Sequence, residues 1–435
     1  MGRPVVAIIG LQNVGKSMLF NRIVGGRVAV VSDEPGVTRD RNVRPAEWLD
    51  RAFLLVDTGG WIPARAQGID AQVLEQTKLA VEEADALLFV IDAEVGAGEA
   101  EIALARTIRR RKVPCVLVGN KSDRLKDGPA PGLEGLGLGE PALVSAAHGT
   151  GVGDLLDRLV RVLPDGEDTG EGAPGARVAV VGRPNVGKSS LVNRLAGTYR
   201  TVVDETPGTT RDSVDTRVEV DGRPCVLVDT AGLRRRARMS SRVEFYSHLR
   251  TVRSLEDCDV ALVLMDATQG VTQQDLRIAG MAHESGRGAV LVFNKMDLIE
   301  ERRAHRRRLE SDLERQMAFN RYAPVHYVSA KEGWGTGALL PVAMDVEAER
   351  SKRIRTADLN RTLQEAVEAY APPSGPRPSR IYYGTQVEGR PPTFVVFVSR
   401  PENIRRNYIR YLVNRIRKTY GFRGTPIRLH LRKRV

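Results

Sequence analysis

Two stretches of this 435-residue chain share the spacing G-x-x-x-x-G-K-S, Gly10 to Ser17 and Gly182 to Ser189, at an offset of 172 positions. In such a loop the glycines Gly10, Gly15, Gly182 and Gly187 let backbone N–H groups close around phosphate oxygens. Lys16 and Lys188 reach the outer phosphates, and the hydroxyls of Ser17 and Ser189 ligate magnesium. Each loop follows an apolar run, Val5 to Ile9 and Val178 to Val181. That chemistry is the binding of two nucleoside triphosphates.

The repeat continues past the loops. Thr38 recurs as Thr210, Arg39-Asp40 as Arg211-Asp212, and Asp57-Thr-Gly-Gly60 as Asp229-Thr-Ala-Gly232. Thr38 and Thr210 are expected to join the serines on Mg²⁺ when a triphosphate is bound, while Asp57 and Asp229 orient metal-bound water. Gly60 and Gly232 offer backbone N–H groups where the outermost phosphate sits. Loops anchored only by that phosphate form a switch, because hydrolysis removes the anchor.

Base choice falls to Asn120-Lys121-Ser-Asp123 and its repeat Asn294-Lys295-Met-Asp297. The terminal carboxylate accepts two hydrogen bonds, from guanine N1–H and the exocyclic amine, a pair that adenine does not offer. A site built on that demand rejects the analogue lacking it by orders of magnitude. The ligand is read as GTP or GDP, with Ser145-Ala146 and Ser329-Ala330 completing the expected nucleotide contacts.

One residue type is missing. Many GTPases keep a glutamine after the switch glycine to orient the attacking water, but here Trp61 and Leu233 stand there. Slow intrinsic hydrolysis is the expectation. Transition-state charge is left to Arg39 or Arg211, to Arg234-Arg-Arg236 with Arg238, or to a monovalent cation near Asn13 or Asn185. For the Arg234 cluster, a solvated RNA- or domain-facing patch outweighs catalysis.

What must position these groups is a parallel sheet. Runs at Leu87–Ile91, Val116–Val118, Val260–Met265 and Val290–Phe293 read as buried strands alternating with helices. The fold class is α/β: two tandem P-loop G domains with doubly wound, mostly parallel sheets, plus a smaller C-terminal α+β domain. The expected limits are a first G domain over 1–164, an acidic glycine-rich linker over 165–175, a second G domain over 176–350 and a basic domain over 351–435. Gly128 to Pro141 reads as a mobile surface loop.

In the last domain the order reads α-β-β-α-β. A helix is expected from Ala357 to Tyr370, strands at Arg380–Val387 and Thr393–Ser399, and a last strand at Pro426–Leu431. Ser399-Arg-Pro-Glu402 fits a capping box opening a helix to about Lys418. On it Ile404, Tyr408, Leu412 and Ile416 form an apolar stripe, with Arg406, Arg410, Arg417 and Lys418 opposite. Tyr382, Tyr383, Phe394 and Phe397 read as core ahead of base-stacking groups.

The net charge is +12, which biases a protein toward polyanions. No Asp or Glu follows Glu402, while eleven Arg and Lys residues do, among them Arg428, Arg432 and Arg434. So one-sided a tail favours RNA phosphate over a merely solvated face. A second cluster, Arg302, Arg303, Arg306, Arg307 and Arg308, is expected on a surface helix. Of three cysteines, Cys115 and Cys225 lie in Pro-Cys-Val-Leu-Val runs and read as reduced core residues. No signal peptide or membrane-length apolar run is seen, so the expected compartment is the cytoplasm, with no membrane partner.

Two G domains carrying G-x-x-N-V-G-K-S, G-[VT]-T-R-D, D-T-[GA]-G and N-K-x-D before a small basic domain resemble the double-Era-like GTPases, the Der or EngA family. The resemblance spans essentially the whole chain. It implies a bacterial GTPase that binds the large (50S) ribosomal subunit and its rRNA and assists assembly, with a KH-like third domain. It also implies potassium-stimulated hydrolysis, with K⁺ ligated at Asn13 and Asn185, and a monomer is expected. Gly421-Phe-Arg-Gly424 looks like the GXXG clamp of KH domains but joins helix to strand, so it reads as a turn ending the helix. Departures between the copies are Leu11 for Arg183, Val37 for Thr209, and Ala147-His148 where the second copy has Lys331. The competing reading is an RNA-binding scaffold with structural GTP and negligible turnover. A tRNA-modifying GTPase is disfavoured by the second G domain and the absence of a terminal catalytic cysteine.

Overall fold

A computed structural model describes residues 3–25, 43–58, 81, 84–125, 132–164, 175–201, 215–228, 244–372 and 379–434. Its contacts divide the chain into two compact units, one holding described residues up to 164 together with 244–256, the other holding the remainder.

In the first unit the Val/Ile/Leu runs become β1 (Val5–Ile9), β3 (Arg51–Asp57), β4 (Ala86–Asp92), β5 (Cys115–Asn120) and β6 (Ala142–Val144). With β2 (Val43–Trp48) they form a six-stranded sheet ordered β2-β3-β1-β4-β5-β6. Only the β2–β3 pair is antiparallel. Helices α1 (Lys16–Gly25), α2 (Glu99–Arg111) and α3 (Val152–Val162) are linked to it. Because the central strands are buried on both faces, two apolar clusters form, one led by Leu19, Phe53 and Leu155 and the other by Phe89, Leu104 and Ile108. The expected loop from Gly128 to Pro141 needs correcting where it is described: Leu133 and Leu136 are only 2% exposed and pack into the second cluster. Glycine density suggested a loose segment, but two buried leucines tie it down.

The second unit repeats the plan. Its strands are β7 (Ala176–Val181), β8 (Arg200–Thr201), β9 (Thr216–Val220), β10 (Arg223–Val228), β11 (Val260–Asp266), β12 (Gly288–Asn294) and β13 (Val325–Tyr327). They are ordered β13-β12-β11-β7-β10-β9-β8, with β8 and β9 antiparallel to their neighbours. Its helices are α4 (Lys188–Thr198), α6 (Gln273–Glu284), α7 (Arg302–Gln316) and α8 (Leu339–Ser351). The intervening α5 (Glu244–Asp257) lies mostly in the first unit.

The same unit holds the small basic fold. It comprises α9 (Thr356–Ala369), β14 (Ile381–Val387), β15 (Thr393–Val398), α10 (Arg406–Tyr420) and β16 (Arg428–Lys433), the α-β-β-α-β order expected. The stripe of Ile404, Tyr408, Leu412 and Ile416 is buried with Phe394, Val396 and Phe422. Two expectations fail. Ser399 does not cap α10: its hydroxyl accepts from Arg380 N at 2.9 Å, Pro401–Asn403 forms a separate short turn, and α10 begins only at Arg406. Arg417 does not face outward with Arg406. Its guanidinium donates to the carbonyls of Phe422 and Thr425 and lies 4.6 Å over the Tyr322 ring, where burial lowers its pKa to about 10. Among the described residues no helix is long and apolar enough to cross a membrane.

Candidate functional site: two duplicated nucleotide loops

Each phosphate loop leaves the carboxyl end of a central strand and enters a helix. Gly10 and Gly182 follow β1 and β7, and Lys16 and Lys188 open α1 and α4. A side chain at Gly10 would strike the Val90 carbonyl, and one at Gly182 the Leu264 carbonyl; at Gly15 and Gly187 it would strike the amides of Asn120 and Asn294. Gly15 and Gly187 also need left-handed backbone, φ 92° and 99°, which glycine adopts at little cost. Asn13 and Asn185 are held left-handed too, φ 62° and 64°.

Lys16 Nζ lies 3.0 Å from the Gly10 carbonyl and Lys188 Nζ 2.7 Å from that of Gly182, folded over the cradle each would share with phosphate. Burial lowers the pKa of Lys16, opposed by the charge of Asp57. Asp57 ends β3 at 3% exposure. Serine hydroxyls and carboxylates are hard-oxygen donors of the kind Mg²⁺ takes, and Ser17 and Ser189 stand next to the loop lysines in sequence. Thr38, Gly60, Thr210, Asp229 and Gly232 lie outside the described residues, as do Trp61, Leu233, Arg39, Arg211 and the Arg234 cluster.

The base end is joined to the phosphate end by one side chain in each copy. Asn120, 2% exposed at the tip of β5, donates to the Val14 carbonyl at 2.7 Å and accepts from Ala146 N at 3.0 Å. Asn294 does the same with Val186 O at 2.8 Å and Ala330 N at 2.8 Å. These contacts join the phosphate loop to an asparagine more than a hundred residues away, and that asparagine to the serine-alanine loop beyond it. Next, Lys121 and Lys295 take left-handed backbone and pair with Asp92 and Asp266, both at 2.6 Å. Burial raises the pKa of Asp92 and Asp266, but their lysine partners and backbone donors outweigh it and hold both carboxylates ionised. Asp123 and Asp297 then fall in short helical turns. The Ser145 hydroxyl is the largest influence keeping Asp123 ionised.

Two participants were missed in the sequence. Arg22 on α1 donates Nε to the Ala146 carbonyl at 3.1 Å and Nη2 to that of Ala147. Arg194 on α4 donates likewise to Ala330 at 3.4 Å and Lys331 at 2.6 Å. Each helix thus carries the phosphate lysine at its start and a strut to the base loop further along. The signal was there, since Asn21-Arg22 recurs as Asn193-Arg194 at the 172-residue offset.

The family described as 50S ribosome-binding GTPase matches residues 5–121 and 177–295. The family described as the C-terminal KH-domain-like region of EngA bacterial GTPase enzymes matches 353–432. GTPase Der of Desulforamulus reducens is 48% identical over 435 residues, covering 100% of this chain and 99% of its own length. The chain belongs to the Der family of GTPases. GTPase Der of Moorella thermoacetica shares 46% over 436 residues and that of Clostridium tetani 42%, each aligned with 100% of this chain and with 99% and 100% of its own length. Among solved structures, Aquifex aeolicus Era bound to GDP and AlF4⁻ is 19% identical with a TM-score of 0.30, over 60% of this chain and 93% of that one; so distant a likeness adds nothing to the site. As a Der-family GTPase the chain binds and hydrolyses GTP.

In the KH-like region the Gly421–Gly424 turn ends α10, as read from the sequence. Gly421–Gly424 is not an open clamp. Phe422 is 0% exposed, Gly424 N donates to Tyr322 O at 2.8 Å, and Ala289 N donates to Gly424 O at 2.7 Å. A side chain on Gly424 would collide with Val346. The turn fastens the small fold to the second G domain. The cysteines are free, as expected; burial pushes the Cys115 and Cys225 thiols up to about 12.

Proposed function

We propose that the chain is a GTP-hydrolysing switch in assembly of the large ribosomal subunit, acting through rRNA in the cytoplasm as a monomer. The observation that carries this reading is the duplicated bridge from phosphate loop through Asn120 or Asn294 to the base loop. In each site Lys16 or Lys188 binds the outer phosphates, and Ser17 or Ser189 holds Mg²⁺ with Thr38 or Thr210. Asp57 or Asp229 orients metal-bound water. Asp123 or Asp297 reads guanine, and Gly60 or Gly232 senses the terminal phosphate. Asn13 and Asn185 would ligate K⁺, which would neutralise charge developing in the transition state. The domain limits remain those of the sequence reading: 1–164, 176–350 and 351–435, with 165–175 as linker.

The test is steady-state GTP hydrolysis with K⁺ or Na⁺, with and without large ribosomal subunits. Turnover raised by K⁺ and by subunits supports the switch. Tight GTP binding with no turnover under any of these conditions supports the scaffold reading instead.

A further inference from the structure

In the Gly421–Gly424 turn Phe422 and Gly424 are buried, leaving only Gly421 and Arg423 exposed, so the sheet of the small fold offers the larger candidate surface for RNA. Its three strands run in the order β14-β15-β16. Along β15, Phe394, Val396 and Val398 join the buried cluster with α9 and α10. Phe397 alternates with them, and its register partners are Tyr383 on β14 and Arg432 on β16. The Tyr383 and Phe397 rings stack with centroids 4.6 Å apart and planes 18° from parallel. Next to Tyr383, Tyr382 has the Arg434 guanidinium 4.9 Å over its ring.

The two tyrosines are 44% and 41% exposed, which is a poor use of large rings if their role were to fill a core already supplied by Phe394 and Phe422. The setting is strongly positive, since no Asp or Glu occurs beyond Glu402. Burial and the charges of Arg428 and Arg432 lower the pKa of His430, a neighbour of both on β16. Exposed rings interleaved with guanidinium groups are what unpaired bases and their phosphates fit; a duplex hides its base faces and fits them poorly.

We propose that this outer end of the sheet, formed by Tyr382, Tyr383 and Phe397 with Arg432 and Arg434, is a stacking platform for single-stranded RNA. Bases lie on the tyrosine rings and phosphates on the two arginines. The proposal rests on the RNA-partner reading above and names the surface that serves it.

The experiment titrates the full chain, with GDP present, against a labelled single-stranded oligouridylate of about twelve nucleotides at several salt concentrations. Ribosomal-subunit cofractionation is run in parallel. Tyr382→Ala and Tyr383→Ala should each lose about tenfold in affinity at every salt concentration, because stacking is not ionic. Tyr383→Phe should bind as the unaltered chain does. Arg432→Gln should flatten the log–log salt slope by about 0.7, the value for one single-strand phosphate. Tyr382, 44% exposed with Arg434 over its ring, keeps the test valid if Tyr383→Ala fails to fold. If the unaltered chain binds the oligonucleotide and both alanine variants bind equally well, the platform is wrong. If the unaltered chain binds neither the oligonucleotide nor the subunits, the partner reading itself falls.

Discussion

The two nucleotide loops share a backbone plan yet differ in what stands beside it. In the first, Leu11 follows the opening glycine and packs among apolar neighbours. In the second, Arg183 takes that place with its Nε 3.4 Å from Asp275, the two side chains being 13% and 1% exposed. Asp275 also accepts from Thr272 N at 3.0 Å and caps α6. In the first copy Glu101 does this capping for Gly98, with no arginine paired to it among the described residues. At the base end, His148 lies 3.8 Å from Asp123, whereas the matching Glu332 pairs with Lys331 at 3.7 Å. Recognition is thus conserved between the copies, while the charges that tune it are not. Unequal nucleotide affinity at the two sites is the expected consequence.

The largest effect that sharpens this comparison is loss of a loop lysine. Lys16→Ala and Lys188→Ala should each weaken nucleotide binding at one site by about a hundredfold, the worth of charge-assisted hydrogen bonds to phosphate. Titration with a fluorescent guanine nucleotide should then count one tight site per chain in either variant.

Arg183→Leu makes the second loop resemble the first. Removing one partner of a buried pair should destabilise the second unit by about 3 kcal/mol, read from denaturant unfolding. The sign with pH is fixed by Asp275. Burial holds its pKa above 3.8, and losing Arg183 raises it further, so the folded state binds its proton more tightly than the unfolded chain does. The deficit is therefore full at neutral pH and shrinks as pH falls through the raised value.

Next in size is Gly424→Val, which forces a branched side chain against Val346. It should cost the second unit about 1–3 kcal/mol by overpacking and leave nucleotide affinity at the first site unchanged, which melting and titration on the same sample would show. Smallest are the struts. Arg22→Ala and Arg194→Ala should each weaken GDP binding about five- to tenfold at their own site. Lysine in either place should recover part of that, because it can still cap one of the two carbonyls.

Much of this was legible in the sequence because chemistry with fixed spacing leaves marks that survive tertiary context. The strands of both G domains were legible from their apolar runs, and the glycines and lysines of the two phosphate loops follow the strand ends as their spacing implied. What stayed hidden depends on long-range packing. The role of Arg417 follows from Tyr322, almost a hundred residues upstream, and the Gly421 turn was decided by Val346 and Ala289 rather than by its own letters. Leu133 and Leu136 sat in a glycine-rich stretch whose composition masked them. Ser399 fitted a cap pattern, yet its hydroxyl found Arg380 N instead. Arg22 and Arg194 were visible only as a repeat, since their partners are carbonyls, which a sequence does not spell out.

The most direct measurement is the stoichiometry and base preference of nucleotide binding by isothermal calorimetry on the unaltered chain. The account predicts two guanine nucleotides per chain, of unequal affinity, each preferred over the adenine nucleotide by orders of magnitude. A single bound nucleotide, or comparable affinity for ATP, would contradict it.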